Sequence, residues 1–162
     1  MRKLTALAVA FALLAAPALA KNYAVPEKNP AATISIPDSW ETDEIEFGYG
    51  AFSPGKDVYF SIETADAGSV ERMKKANLDW MASNNIKLNG EPKTTEKSFN
   101  GIKGSVLSFD AKDDNGPTNV QFAILPISNK RLIFLTMWAS DEEYKKHEAA
   151  FDRIIASLKP IE

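Results

Sequence analysis

The segment Arg131 to Ala139, Arg-Leu-Ile-Phe-Leu-Thr-Met-Trp-Ala, constrains the fold of this chain more than any other. Its β-branched and aromatic content reads as a strand. Alternate side chains of a strand point to opposite faces, so Leu132, Phe134 and Trp138 lie on one side and Ile133, Leu135 and Met137 on the other. Both faces are apolar, and both must therefore be covered.

The covering layers can be read on either side of it. From Ser69 to Asn84, Val70, Met73, Trp80 and Met81 recur at helical spacing, with Arg72, Lys74, Lys75 and Asp79 on other faces. After the strand, Ser140 can cap a second helix, with Glu143 three residues on completing a capping box. Tyr144, Phe151, Ile154, Ile155 and Leu158 form that helix's apolar stripe, and Pro160 ends it. Further strands are predicted over Thr33 to Ile36, Ile45 to Phe52, Val58 to Thr64, Thr94 to Phe99, Ile102 to Asp110 and Val120 to Ile127. Asn100-Gly101 suits a tight hairpin needing positive φ, and Asp114-Asn115-Gly116 repeats the device. Ser128-Asn129-Lys130 joins the last two strands. The expected fold is α/β (α+β): an α/β/α sandwich, its mainly antiparallel sheet flanked by two or more helices.

Met1-Arg2-Lys3 places positive charge ahead of the apolar run Leu4 to Ala16, followed by Pro17 and the small-residue triplet Ala18-Leu19-Ala20. These are the three parts of a signal peptide, with cleavage expected after Ala20. The short signal and its A-x-A site look bacterial, which gives a periplasmic or secreted product; a eukaryotic secretory route fits the same residues. No later segment is apolar for the roughly 20 residues needed to span a bilayer, so no membrane insertion is expected after cleavage. Residues 21–31, polar and carrying Pro26 and Pro30, read as a flexible leader, and residues 32–162 as one domain. The 22 acidic residues outnumber 19 basic ones, two of which, Arg2 and Lys3, leave with the signal. Nucleic-acid binding relies on clustered cations and is not expected. Cysteine is absent, so stability must come from core burial rather than cross-links.

Four features in this order resemble the PsbP-like domain family. They are the strand-turn Ile34-Ser35-Ile36-Pro37-Asp38-Ser39-Trp40, the hairpin Phe99-Asn100-Gly101-Ile102-Lys103-Gly104, the strand Arg131 to Trp138, and the closing helix Phe151-Asp152-Arg153-Ile154-Ile155-Ala156-Ser157-Leu158. The resemblance implies an α/β/α sandwich, a fold also used by a Ran-binding import factor and by small bacterial exported proteins. It implies accessory or partner-binding work more than catalysis, and Pro37 and Trp40 as fold residues. It names no partner.

Residue by residue, the reactive motifs are incomplete. Gly50-Ala51-Phe52-Ser53-Pro54-Gly55-Lys56-Asp57 matches a phosphate loop except that Asp57 replaces the Ser or Thr that would hold magnesium, and a strand rather than a helix is expected to follow. A Pro-Gly hairpin turn is the simpler reading. His147-Glu148 begins a zinc-hydrolase helix, but Phe151 stands where the second ligand belongs. His147, the only histidine, falls along the apolar stripe and reads as a half-buried packing residue. Asp110, Asp113, Asp114 and Asn115 do not keep the frame of a calcium loop, leaving a solvated turn with weak surface binding of a divalent cation as the alternative. No catalytic, cofactor-binding or metal-ligating residue is assigned, and no cofactor is expected.

The aromatic residues Tyr49, Phe52 and Tyr59 flank the Gly-rich turn and alternate with Gly48 and Gly50. They are the candidate partner or ligand surface, since exposed aromatic patches mark contacts. The favoured function is an exported, non-catalytic binding or accessory protein of the bacterial cell envelope, a monomer whose protein or small-molecule partner is unknown. The alternative is a carboxylate- or metal-dependent hydrolase using His147 in an unrecognised pocket.

Overall fold

The computed structural model describes residues 19–161. The signal-peptide reading falls almost wholly outside these residues. In chain order the elements are β1 (Ala20–Val25), β2 (Ala32–Pro37), β3 (Glu41–Ile45), β4 (Gly48–Phe52), β5 (Tyr59–Asp66), α1 (Val70–Ser83), β6 (Lys87–Phe99), β7 (Ile102–Asp113), β8 (Gly116–Pro126), β9 (Arg131–Ala139), α2 (Asp141–Ser157) and β10 (Lys159–Pro160). A seven-stranded antiparallel sheet runs in the order β3-β4-β5-β9-β8-β7-β6, and a small three-stranded sheet in the order β1-β2-β10.

The two-sided apolar strand is β9, the middle strand of the large sheet. Ile133 and Leu135 join Phe60, Ile62, Ala123 and Leu125 on one face, where Ile34 and Ile36 of β2 and Ile154 of α2 pack onto them. Leu132 and Phe134 join Phe109, Val120 and Phe122 on the opposite face, which Met73 and Met81 of α1 cover. The small sheet shares a layer with α2. Fully burying a Phe, Leu or Ile contributes about 1.5–3 kcal/mol, so these two clusters carry most of the stabilisation. The sandwich expected from the sequence is the one observed.

Local chemistry sets the joints. Ser140 accepts a hydrogen bond from the Glu143 amide while Glu143 reaches back to the Ser140 amide, forming the expected capping box. Asn100 and Gly101 both take positive φ, 49° and 87°, in the β6–β7 turn. In the β7–β8 turn, Asp113 Oδ1 accepts from the amides of Asn115 and Gly116.

Three expectations are corrected. Residues 21–31 are not a flexible leader: β1 pairs with β2 along its whole length, and Val25 and Ala31 are fully buried. Arg131 also donates to the Asn29 and Pro30 carbonyls. In β1 only Tyr23 and Val25 supply large inward side chains, too few to display a period. Residues 45–52 are not one strand but the end of β3, a two-residue turn at Glu46-Phe47, and β4. β3 reads Glu-Thr-Asp-Glu-Ile, a charged edge strand with no alternation to detect. β6 starts seven residues before the expected Thr94, interrupted by an irregularity between Asn89 and Lys93 at Gly90.

Candidate functional site

On the α2 face of the large sheet, bulk is missing along β8. Asn119, Gln121 and Ala123 point to this face, whereas Val120, Phe122 and Ile124 fill the other. Over these small residues, between β8–β9 and α2, lies a groove of about 640 Å³. Its floor is Phe60, Ala123, Leu135 and Met137; its wall is Tyr144, Phe151 and Ile155 of α2, spaced for one helical face.

Both ends of the groove are pinned. At one end Asn119 Nδ2 donates to Asp141 Oδ1 at 2.9 Å, joining β8 to the first turn of α2. At the other, Asn100 Nδ2 donates to the Leu158 carbonyl at 2.8 Å, joining the β6–β7 turn to the end of α2. Gln121, Lys97 and Asp152 add polar groups around the apolar floor. Burial, and then the nearby carboxylates of Asp152 and Glu148, hold the Tyr144 phenol above its ordinary value, so it faces the groove as a neutral hydroxyl. An apolar cleft of this volume with a few polar groups at its edges is the usual form of a small-molecule site.

The aromatic trio expected from the sequence is divided by the sheet. Phe52 and Tyr59 are cross-strand neighbours on the α1 face, ring centroids 4.9 Å apart, and Tyr59 stacks on Trp80 at 4.7 Å. Tyr49 lies on the opposite face against Tyr23, centroids 4.7 Å apart. The strand face that Gly50 leaves thin is filled by the Tyr59 ring: a Cβ at Gly50 would come within 3.0 Å of its hydroxyl.

The remaining motifs resolve as local structure. Gly55, at φ 84°, turns the chain between β4 and β5; Lys56 pairs with Glu41 at 3.1 Å, and Ser53 Oγ accepts from the Val58 amide. His147 is half-buried, its ring edge-on to Trp40 and its Nε2 3.6 Å from Asp57 Oδ2. It lies against the β4–β5 loop and does not line the groove. Asp113 is committed to its turn and to the Trp138 indole at 3.1 Å, while Lys93 stands 3.5 Å from Asp110. Among the described residues no three His, Asp or Glu side chains gather as a metal site.

The groove itself was not anticipated from the sequence. One signal was present, the polar-bulky alternation Asn119-Val120-Gln121-Phe122-Ala123, which places small and amide side chains on one face of an interior strand.

The fold is PsbP-like, and the structural similarities define it. Cyanobacterial PsbP from Synechocystis superposes with a TM-score of 0.56 at 10% identity, covering 89% of this chain and 94% of that one. LpqN, described as involved in cell envelope biogenesis of Mycobacterium tuberculosis, gives a TM-score of 0.55 at 13% identity over 88% of this chain and 92% of that one. A protein from Bacteroides thetaiotaomicron gives 0.54 at 10% identity over 81% of this chain and 45% of the larger protein. No sequence-family profile matches the chain, and no curated protein is similar to it in sequence. Among the described residues no helix is long and apolar enough to cross a membrane.

Proposed function

We propose that this chain is an exported, non-catalytic binding protein of the bacterial cell envelope that holds a small amphiphilic molecule in the groove between α2 and β8–β9. The observation that carries the reading is the groove's composition: Ala123, Leu135, Met137 and Phe60 give an apolar floor, while Gln121, Lys97 and Asp152 give polar groups at its margins. An alkyl chain fits the floor, and a polar head meets the amides or charges. The signal-like N-terminus and the link of LpqN to envelope biogenesis support the compartment.

The test uses mature protein beginning at Lys21 and a series of single-chain alkyl amphiphiles, below their critical micelle concentrations. Saturable binding by calorimetry should strengthen with chain length, and the melting temperature should rise with ligand concentration. Ala156→Trp places a large ring in the groove from an exposed position on α2 and should abolish binding while leaving the fold intact. Equal affinity in wild type and Ala156→Trp, or no saturable binding by wild type, would defeat the proposal. Fractionation of cells expressing the full chain tests export, because retention of an uncleaved product in the cytoplasm is the contrary result.

A further inference from the structure

The α1 face of the sheet holds a second cavity, and a polar cluster built into the core borders it. Glu63 of β5 is only 7% exposed. Asn77, from the middle of α1, has its amide fixed by three hydrogen bonds. Its Oδ1 accepts from Thr136 Oγ1 at 2.9 Å, and its Nδ2 donates to the Met73 carbonyl at 3.1 Å and to Glu63 Oε1 at 3.0 Å. Among the described residues Asn77 is the side-chain donor to this carboxyl group and uses Oε1; Oε2 is not among the fully enclosed side-chain oxygens that lack a partner.

Glu63 borders a cavity of about 230 Å³ walled by Phe47, Tyr59 and Trp80, with Glu46 also in its lining. Burying a carboxyl group away from water is costly unless it is paired, and apolar side chains would pack under α1 without that cost. The retained acid, the cavity beside it and the aromatic residues that line it are the components of a cation site: a counter-ion at the base and aromatic walls, of which Tyr59 and Trp80 are already stacked on each other.

We infer that this cavity binds a small organic monocation, a primary amine or quaternary ammonium, with Glu63 as its counter-ion and Phe47, Tyr59 and Trp80 as its walls. Arg72 limits access. Its guanidinium lies over the Phe47 ring at 5.2 Å and within 3.4 Å of Ser69 Oγ, so one of the chain's own cations occupies the outer aromatic face. An anion could meet Arg72 only at the rim, because the buried Glu63 borders the interior and the exposed Glu46 adds a second negative charge to the lining. Burial raises the Glu63 carboxyl above its ordinary value, partly offset by Asn77 and reinforced by Glu46. An arriving cation favours the ionised form, so where Glu63 is protonated, binding releases a proton.

Trp80 in the wall supplies a direct readout. Mature protein is titrated with n-butylamine hydrochloride and with tetramethylammonium chloride, following tryptophan emission and heat, with sodium butyrate and sodium chloride as controls at equal ionic strength. At least one of the two cations should saturate, and neither control should. Glu63→Gln keeps an acceptor for Asn77 and removes the charge; it should weaken binding about tenfold or more, as expected for loss of a charge-assisted contact. Trp80→Leu, read by heat alone, should also weaken it, and Arg72→Ala should tighten it. The inference fails if neither cation binds wild type, if butyrate binds equally well, or if folded Glu63→Gln retains wild-type affinity. Should Glu63→Gln not fold, unchanged affinity in Trp80→Leu overturns it instead.

Discussion

The side chain of Asn100, at the tip of the β6–β7 hairpin, donates at 2.8 Å to the carbonyl of Leu158, 58 positions further along the chain. Two demands meet at Asn100. Its φ of 49° suits Asn or Gly, and its amide satisfies a carbonyl left open at the end of α2. Asn100→Gly keeps the backbone and loses the bond, so unfolding in denaturant should show a loss of about 1 kcal/mol. Asn100→Ala adds the left-handed backbone cost and should lose about 1 kcal/mol more. Equal stability of the two variants would show that the turn is not strained as described.

Gly48 and Gly50 are both buried in β4, but they tolerate a side chain unequally. A Cβ on Gly48 would stand 1.9 Å from the Ile62 carbonyl oxygen, a backbone atom that moves only if β4 and β5 separate. At Gly50 the obstacle is the Tyr59 hydroxyl at 3.0 Å, the far end of a side chain that can shift. Gly48→Ala should therefore cost about 3 kcal/mol or more, and Gly50→Ala about 1 kcal/mol, with altered tryptophan emission because Tyr59 stacks on Trp80. Thermal melts and emission spectra of the two variants separate these outcomes.

Strand β1 predicts the consequence of trimming the N-terminus. A chain starting at Lys21 keeps the pairing of Lys21 to Val25 with Ile36 to Ala32. A chain starting at Pro26 loses those bonds, exposes the edge of β2 and removes Tyr23 and the fully buried Val25. The second should be less stable by about 3 kcal/mol or more from lost burial alone. Matching denaturation midpoints for the two chains would restore the leader interpretation.

What the sequence revealed follows from where each signal is stored. The interior position of β9, the capping box at Ser140 and Glu143, and the Asn100-Gly101 turn depend on residues close together in the chain, and each was legible. β1 and β3 were not, because an edge or cover strand needs few apolar residues, and theirs are Tyr23 and Val25 in one and Ile45 in the other. The groove was hidden because it arises from what β8 lacks opposite α2, a relation between elements. Tyr49, Phe52 and Tyr59 were close in sequence but fell on two faces: within β4 Tyr49 and Phe52 are three residues apart, so the pleat sets them on opposite sides, and the β4–β5 register places Tyr59 opposite Phe52. The buried Glu63 cluster did leave a trace: Met73, Asn77 and Met81 follow at intervals of four, so an amide sits within an apolar helix stripe.

Glu63 gives the fold a pH dependence of definite sign. Burial raises its folded-state pKa above the unfolded value of 4.5. Between the two values the folded chain holds a proton that the unfolded chain has released, so this group's contribution to stability falls as pH rises through that interval. Below the unfolded value the penalty is absent; above the folded value it is fully present. Glu63→Gln retains an acceptor for Asn77 and has no proton to lose, so it should be more stable than wild type at pH 8 and lose that advantage toward pH 4. Urea unfolding of both proteins across this range measures the difference directly, with the other carboxylates common to the pair. A difference that stays constant with pH would mean that Glu63 titrates alike in the folded and unfolded chains, and burial would then not control its protonation.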